Sequence, residues 1–78
     1  MEAIAHGDAR SSRVVGRAIR DIDLPTGVTI GAIARGDQVL IAHDDVEVEP
    51  GDHVILFVVD KRQVAAVERL FQVGITFF

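Results

Sequence analysis

The amino-acid sequence predicts an α+β domain, namely a small, mostly antiparallel sheet with one C-terminal helix packed on it and a short helix after the first strand. The stretch 53–59 holds six consecutive apolar residues between a Pro-Gly-Asp turn and a charged triplet, which is typical of a strand buried on both faces. The segment that follows has the spacing of one apolar helix stripe, formed by Val64, Val67, Leu70 and Phe71.

The sequence also indicates where this helix begins. Asp60 can accept a hydrogen bond from the backbone N–H of Arg62 or Gln63, as N-terminal capping residues do. Gln63, three residues after Asp60, can return a hydrogen bond in the manner of a capping box. We therefore expect a tight connection between the buried strand and the helix.

The middle of the chain predicts an antiparallel hairpin. Two apolar runs, Val28–Arg35 and 38–42, are separated by the pair Gly36-Asp37, which is a frequent hairpin loop. Gly31 within the first run predicts the close approach of another backbone or of a packed side chain. Residues 46–49 alternate between valine and glutamate, a pattern that predicts a half-exposed strand.

The N-terminal part of the chain has weaker signals. The pair Val14-Val15, ended by Gly16, predicts a short strand. Residues 17–22 predict a short helix whose inner face is formed by Ala18, Ile19 and Ile22. The small and polar stretch around 7–12 is the one candidate boundary, and it separates residues 1–10 from a domain of residues 11–78.

Size and composition restrict the partners of the chain. A domain of 78 residues without cysteine is marginal in stability, and its hydrophobic content of 49% exceeds what so small an interior can hide, so we expect a homodimer. The net charge of −4 argues against binding to nucleic acid. No apolar run reaches the roughly 20 residues of a membrane span, and the N-terminus lacks a signal-peptide pattern, so we expect a cytoplasmic protein without direct membrane insertion.

The sequence offers no convincing catalytic constellation. The three histidines are scattered, there is no cysteine, and neither serine lies in a glycine-flanked elbow, so the chain is not expected to be an enzyme. Arg13, Arg17 and Arg20 fall close together, as on an ordinary solvated face. The densest polar patch could hold a divalent metal, although a solvated sheet edge fits it better; it comprises His43, Asp44, Asp45, Glu47, Glu49, Asp52 and His53.

The order of these signals resembles a known family. The segments that carry the likeness are 12–17, 24–36, 39–42, 46–57 and 67–71, and they include Gly51-Asp52 before the apolar strand and Glu68-Arg69-Leu70-Phe71 at the helix end. Over residues 11–78 the sequence closely resembles the C-terminal domain of TrkA-type regulators of potassium conductance, which is called the TrkA-C or RCK C-terminal domain.

The resemblance implies a regulatory and dimerisation domain, able to sense a ligand, of a TrkA-type potassium uptake protein. Such a protein is held at the inner face of the membrane through a membrane potassium transporter subunit. Residues 1–10 resemble the connection from a preceding nucleotide-binding domain, and since the glycine-rich nucleotide fingerprint is absent, no cofactor is expected in this fragment. For any small ligand, the resemblance points to Ile30, Arg35 and Ile41, although each also fits an ordinary strand residue.

The sequence leaves one alternative function open. The chain could instead be a stand-alone sensor of a small ligand or a divalent metal that uses the polar patch between His43 and His53.

Overall fold

The fold is a four-stranded antiparallel sheet with one layer of chain packed against it. The computed structural model describes residues 1–73, and the apolar tail with Phe77 and Phe78 lies outside the described residues. In chain order the strands and the helix are β1 (Glu2–Ile4), β2 (Val28–Arg35), β3 (Gln38–Ile41), β4 (His53–Val58) and α1 (Val64–Phe71). Within the sheet the strands stand in the order β1-β4-β2-β3, so β4 and β2 form its centre.

The predicted hairpin is confirmed. β2 and β3 pair antiparallel in a register that sets Arg35 opposite Gln38, with Gly36-Asp37 as the two-residue loop between them. Gly36 has a φ of 59°, a left-handed conformation that suits glycine and the primed turns of short hairpins. The loop and the antiparallel pairing of these two strands thus follow the prediction.

The central pair of strands contains a β-bulge at Gly31. Ile30 lies opposite Leu56 and Ala32 lies opposite Ile55, so Gly31 is the extra residue of β2. The ring of Phe57 lies directly over Gly31, and a Cβ at this position would overlap the ring. The prediction that another group approaches Gly31 closely is thus confirmed, and the approaching group is an aromatic side chain.

The hydrophobic core lies on one side of the sheet only. From the sheet, the core takes the residues of β2 and β4 that point to this side, namely Val28, Ile30, Ile33, Val54 and Leu56. The opposing layer consists of α1, the long segment before β2 and the segment before β4, whose buried core residues are Ala5, Val14, Val15, Ile22, Val48, Val67, Leu70 and Phe71. This single layer is the only cover that residues 1–73 provide for the sheet.

The N-terminal segment differs from the prediction. Val14 and Val15 are buried but belong to a turn, because the Ser12 hydroxyl accepts hydrogen bonds from both of their backbone N–H groups at 3.0 Å. The predicted short helix is reduced to a single 3₁₀ turn over Ile19–Asp21. Local apolar content correctly identified these residues as core, but the serine side chain closes a turn where a strand was expected.

Residues 46–49 are not a regular strand, although their burial alternates as predicted, with Val48 buried and Glu47 and Glu49 exposed. Gly16 donates a hydrogen bond to the Val48 carbonyl at 2.8 Å, and Val48 donates one to Arg17 at 3.0 Å. The pairing amounts to one isolated bridge, Ala18 with Glu47, because the partner segment turns into the 3₁₀ helix at once.

The helix α1 follows the prediction closely. Asp60 accepts a hydrogen bond from the Arg62 backbone N–H at 2.9 Å, and a short 3₁₀ turn at Lys61–Gln63 leads into the helix. The predicted return bond from the Gln63 side chain is not among the hydrogen bonds of residues 1–73. Val67, Leu70 and Phe71 are buried while Glu68 is exposed, so the predicted helix face is confirmed.

The proposed division at residue 10 stays a prediction. The structure places β1 in the same sheet as the other strands, since Ala3 lies opposite Val54 of β4. Ala5 is buried in the core, and its N–H donates to the Asp52 carbonyl at 2.8 Å. Residues 1–5 therefore pack with the domain.

The helix face gives a direct test of the core. We expect Val67→Asp to lower the free energy of unfolding by several kcal/mol, comparable to the roughly 3–5 kcal/mol that a core of this size supplies, because the carboxylate would be buried without a partner. Glu68→Ala is the matched control and should change stability by less than about 0.5 kcal/mol, since this residue is exposed. Urea unfolding followed by circular dichroism measures both, and equal midpoints would contradict the assignment of the buried face.

Candidate functional site

The candidate site is the side of the sheet that α1 does not cover. We call it the open face; its apolar side chains belong to Ile4 of β1, Ala32 and Ala34 of β2, Val39 and Ile41 of β3, and Ile55 and Phe57 of β4. Strand pairing sets these residues side by side, because partners in a register share a face. All four strands contribute apolar side chains to the open face, and Glu2, Thr29 and His53 share it, since they lie opposite Ile55, Phe57 and Ile4 respectively.

The prediction that the strand at 53–59 is buried on both faces is wrong for the single chain. Val54 and Leu56 are buried in the core, whereas Phe57 is 64% exposed on the opposite side. Val39 and Ile41 on the edge strand β3 are 70% and 66% exposed on the same side. The composition of β4 suits two covered faces, but the described chain supplies cover for only one, and exposed contiguous apolar surface of this kind marks an interaction site.

One end of the open face is polar. The His53 ring, at the start of β4, has its Nδ1 2.7 Å from Glu2 Oε2 on β1. Both side chains are about half exposed and are held near each other by the β1–β4 pairing, in which Ile4 lies opposite His53. This pair gives the open face a defined polar edge.

A buried ion pair supports the same end of the sheet from the core side. Asp52 is 1% exposed, and its carboxylate accepts two hydrogen bonds from Arg35, from Nε at 2.9 Å and from a terminal nitrogen at 2.8 Å. Asp52 also accepts the Glu49 backbone N–H at 2.8 Å. Arg35 further donates to the Glu47 carbonyl at 2.9 Å. This arrangement fastens the end of β2 to the loop that enters β4.

The electrostatics of the pair follow from its geometry. Burial alone would raise the pKa of Asp52, but the hydrogen bonds from Arg35 and from the Glu49 N–H outweigh burial and hold that pKa below its usual value. The Arg35 guanidinium, correspondingly, has its pKa raised by the hydrogen bonds to Asp52. The pair is therefore charged at neutral pH, and together with the bond to the Glu47 carbonyl it occupies three of the five N–H donors of Arg35.

The three residues suggested for a small ligand are not brought together. Ile30 is buried in the core, and Ile41 is exposed on the open face, so they lie on opposite sides of the sheet. Arg35 is committed to Asp52 and also lies 3.1 Å from Glu49 Oε2. The assignment of a ligand to these residues stays a prediction, and of the three only Ile41 contributes to the open face.

The acidic and histidine-rich patch is dispersed by the fold. Asp52 points into the core toward Arg35, while His53 points to the other side toward Glu2. Within residues 1–73 no group of three histidine or carboxylate side chains is placed to hold a metal ion. The metal-sensor alternative thus has no site in the described part of the chain.

The sequence pointed toward the open face through the strand at 53–59, which is apolar on both faces with one helix to cover it, and the edge strand β3 holds a second signal. Val39 and Ile41 alternate with Leu40, which is half-buried, so apolar residues occupy both faces of an edge strand. Edge strands of monomeric proteins usually carry charged or polar residues on their outer face. An edge strand that is apolar on both faces indicates a partner.

Comparison with known proteins identifies the family. The family model of the TrkA-C domain matches residues 9–72. The chain belongs to the TrkA-C domain family. The match includes β2, β3, β4 and the whole of α1, and it begins after β1.

Curated relatives carry the same domain within longer chains. The chain is 76% identical over 78 residues to "Trk system potassium uptake protein TrkA" of Halomonas elongata and 61% identical over 72 residues to the protein of that name from Vibrio alginolyticus. These matches cover 100% and 92% of the chain but 17% and 16% of the relatives. This TrkA-C chain therefore spans about one sixth of the length of these relatives.

A solved structure shares the fold. It is described as "Structure of RCK domain with cda", has a TM-score of 0.66 and 18% sequence identity, and the alignment covers 92% of this chain and 96% of that one. This likeness supports the α+β architecture of an RCK domain. In residues 1–73, the helices are too short or too polar to cross a membrane.

The buried pair predicts a specific response to acid. Because the pKa of Asp52 is lower in the folded than in the unfolded chain, its contribution to stability is complete above the unfolded value of about 3.9 and is lost as the pH falls through the folded value. Asp52→Asn should lower the unfolding free energy at pH 7 by about 2 kcal/mol, since Arg35 loses its charged partner. The variant should then lose less stability than the parent between pH 5 and acid conditions.

Asp45→Asn is the matched control, because Asp45 is exposed and its substitution removes the same charge. Unfolding by guanidinium chloride, followed at several pH values between about 3 and 7, measures the free energy of unfolding of each variant. Parallel pH profiles for Asp52→Asn and the parent would show that the pair does not have the assigned energetic role.

Proposed function

We propose that this chain is the regulatory and dimerisation domain of a Trk-type potassium uptake protein. Membership in the TrkA-C family and the names of the relatives support the regulatory assignment. The observation that carries the dimerisation part is the open face, a largely apolar surface to which all four strands of a small acidic domain contribute.

A second copy of the chain is the occupant that fits this surface best. The chain has a net charge of −4, so two copies repel each other except where they meet through uncharged surface. The open face is uncharged apart from the Glu2 and His53 edge, and two such faces can pack as the inner faces of a sandwich about 10 Å apart. A symmetric pair buries the same residues in both copies, and Phe57 and Ile41 then become core residues.

Pairing explains how a domain of this size could regulate a larger protein. Since the relatives are about six times as long, each copy would be joined to a much larger chain. Association of two C-terminal domains would hold the preceding domains of two subunits close together. A change in this association would alter the positions of the preceding domains and, through them, act on the membrane potassium transporter subunit. In this proposal the protein is cytoplasmic and the domain acts without catalysis.

Ligand sensing would act on the equilibrium between single and paired copies of the chain. A small ligand changes an association equilibrium only if it binds the paired and unpaired forms with different affinities. Ile41 on the open face would be in contact with such a ligand if it bound between two copies.

The dimer is tested by a substitution on the open face. We expect the parent chain to sediment as two copies at ~100 µM, well above the ~1 µM dissociation constant that corresponds to about −8 kcal/mol. Ile41→Asp should sediment as one copy, because pairing would bury a carboxylate without a partner. Ala65→Asp on the exposed side of α1 adds the same charge outside the open face and should leave the dimer intact.

The same variants connect the dimer to transport. Ile41→Asp and Ala65→Asp, placed at the corresponding positions of a full-length protein that carries this domain, can be compared by rubidium uptake in cells lacking other potassium uptake systems. We expect normal uptake control with Ala65→Asp and impaired control with Ile41→Asp at equal protein levels. A parent chain that sediments as a monomer, or unchanged uptake with a monomeric Ile41→Asp, would contradict the proposal.

A further inference from the structure

A second surface lies on the covered side of the molecule, between α1 and the segment before β2. It is a cleft of about 530 Å³, lined by Arg13, Arg17, Asp21, Asp23, Pro25, Ala66, Arg69 and Leu70. Residues from two parts of the chain about 50 positions apart meet there. We propose that this cleft binds a small molecule that carries phosphate groups.

The charges of the cleft carry the proposal. Arg13 and Arg17 come from the N-terminal segment and Arg69 from the last turns of α1, so three arginines converge on one cleft of a chain that is acidic overall. Within residues 1–73, none of these three arginines forms an ion pair with a carboxylate. Guanidinium groups that remain unpaired can donate two parallel hydrogen bonds to a phosphate.

The remaining lining groups narrow the class of ligand. Asp21 and Asp23 line the same cleft and can accept hydrogen bonds, as the hydroxyl groups of a phosphorylated sugar or nucleoside would donate them. Pro25, Ala66 and Leu70 add an apolar part of the wall that suits an uncharged ring. A compound with phosphate at one end and hydroxyls or a ring at the other would use every kind of group present.

Two features distinguish this cleft from other places on the chain. Arg35, the residue that the family resemblance suggested for a ligand, already donates two hydrogen bonds to the Asp52 carboxylate. The cleft, in contrast, lies in the layer that packs on the opposite side of the sheet from the open face. A ligand in the cleft would thus bind to one copy of the chain and would not compete with pairing.

Calorimetric titration of the 78-residue chain with pyrophosphate and with ADP, without added metal, tests the proposal. We expect saturable binding of at least one of them, and Arg17→Gln and Arg69→Gln should each weaken it about tenfold, as the loss of one charge-assisted contact worth about 1.4 kcal/mol would. Tighter binding of ADP than of pyrophosphate indicates that the cleft takes a nucleotide. Equal binding of the two indicates that it takes a free polyphosphate, and both outcomes support the proposal.

Arg20→Gln and Arg62→Gln are matched controls that remove the same charge from residues outside the cleft lining, and each should change affinity by less than about twofold. Ile41→Asp should retain binding, because the cleft is formed within one chain, and this variant separates a failure of the cleft from a failure of the dimer. The proposal is overturned by no saturable binding of either probe up to ~10 mM, well above a Kd of ~1 mM, or by equal losses in the cleft and control variants.

Discussion

The structure depends on a mismatch between one sheet and one covering layer. A four-stranded sheet has two faces, and the described chain has enough residues outside the strands to cover one of them. β4 lies at the centre of the sheet and is apolar toward both sides, as strands buried on both faces are. A small domain gains little from a core of this size, so burying the second face offers a large additional stabilisation. The proposed pairing of two chains follows from this imbalance.

The Arg35 and Asp52 pair determines how the sheet and its cover are joined. The two residues are 17 positions apart, and their contact links the end of β2 to the loop that precedes β4. Asp52 also joins the strand at the N-terminus, because its backbone carbonyl accepts the Ala5 N–H. A buried charge without a partner is expensive, which makes this contact specific for one arrangement of three segments. The polar edge of the open face, at Glu2 and His53, is thereby fixed from the core side.

Much of the fold could be predicted from local patterns in the sequence. Gly36-Asp37 between two apolar runs was sufficient for the β2–β3 hairpin, because loop length and turn geometry determine the register. The stripe through Val67 and Leu70 gave the buried helix face, and Asp60 gave its start. These features depend on residues that are close in sequence, where spacing and capping are decisive.

The rest depended on contacts between distant segments. Val14 and Val15 have strand propensity, but hydrogen bonds to Ser12 hold them in a turn. β1 was not predicted, since three residues carry no periodicity and its place is set by pairing with β4. The commitment of Arg35 to Asp52 and the meeting of Arg17 with Arg69 in one cleft are likewise properties of the folded chain. The open face was indicated indirectly, by apolar residues in excess of the interior and by a strand at 53–59 that is apolar on both faces with one helix to cover it.

A mixed-label NMR experiment tests whether the open face is the contact between two copies of the chain. The sample contains equal amounts of ¹³C-labelled and unlabelled chain at ~1 mM, a concentration that saturates a micromolar dimer. An isotope-filtered experiment then selects the nuclear Overhauser effects between a labelled and an unlabelled copy. We predict such effects between the Phe57 ring of one copy and methyl groups of the open face of the other, with Ile41 and Val39 among them. The absence of effects between copies, or effects confined to residues of α1, would contradict the account.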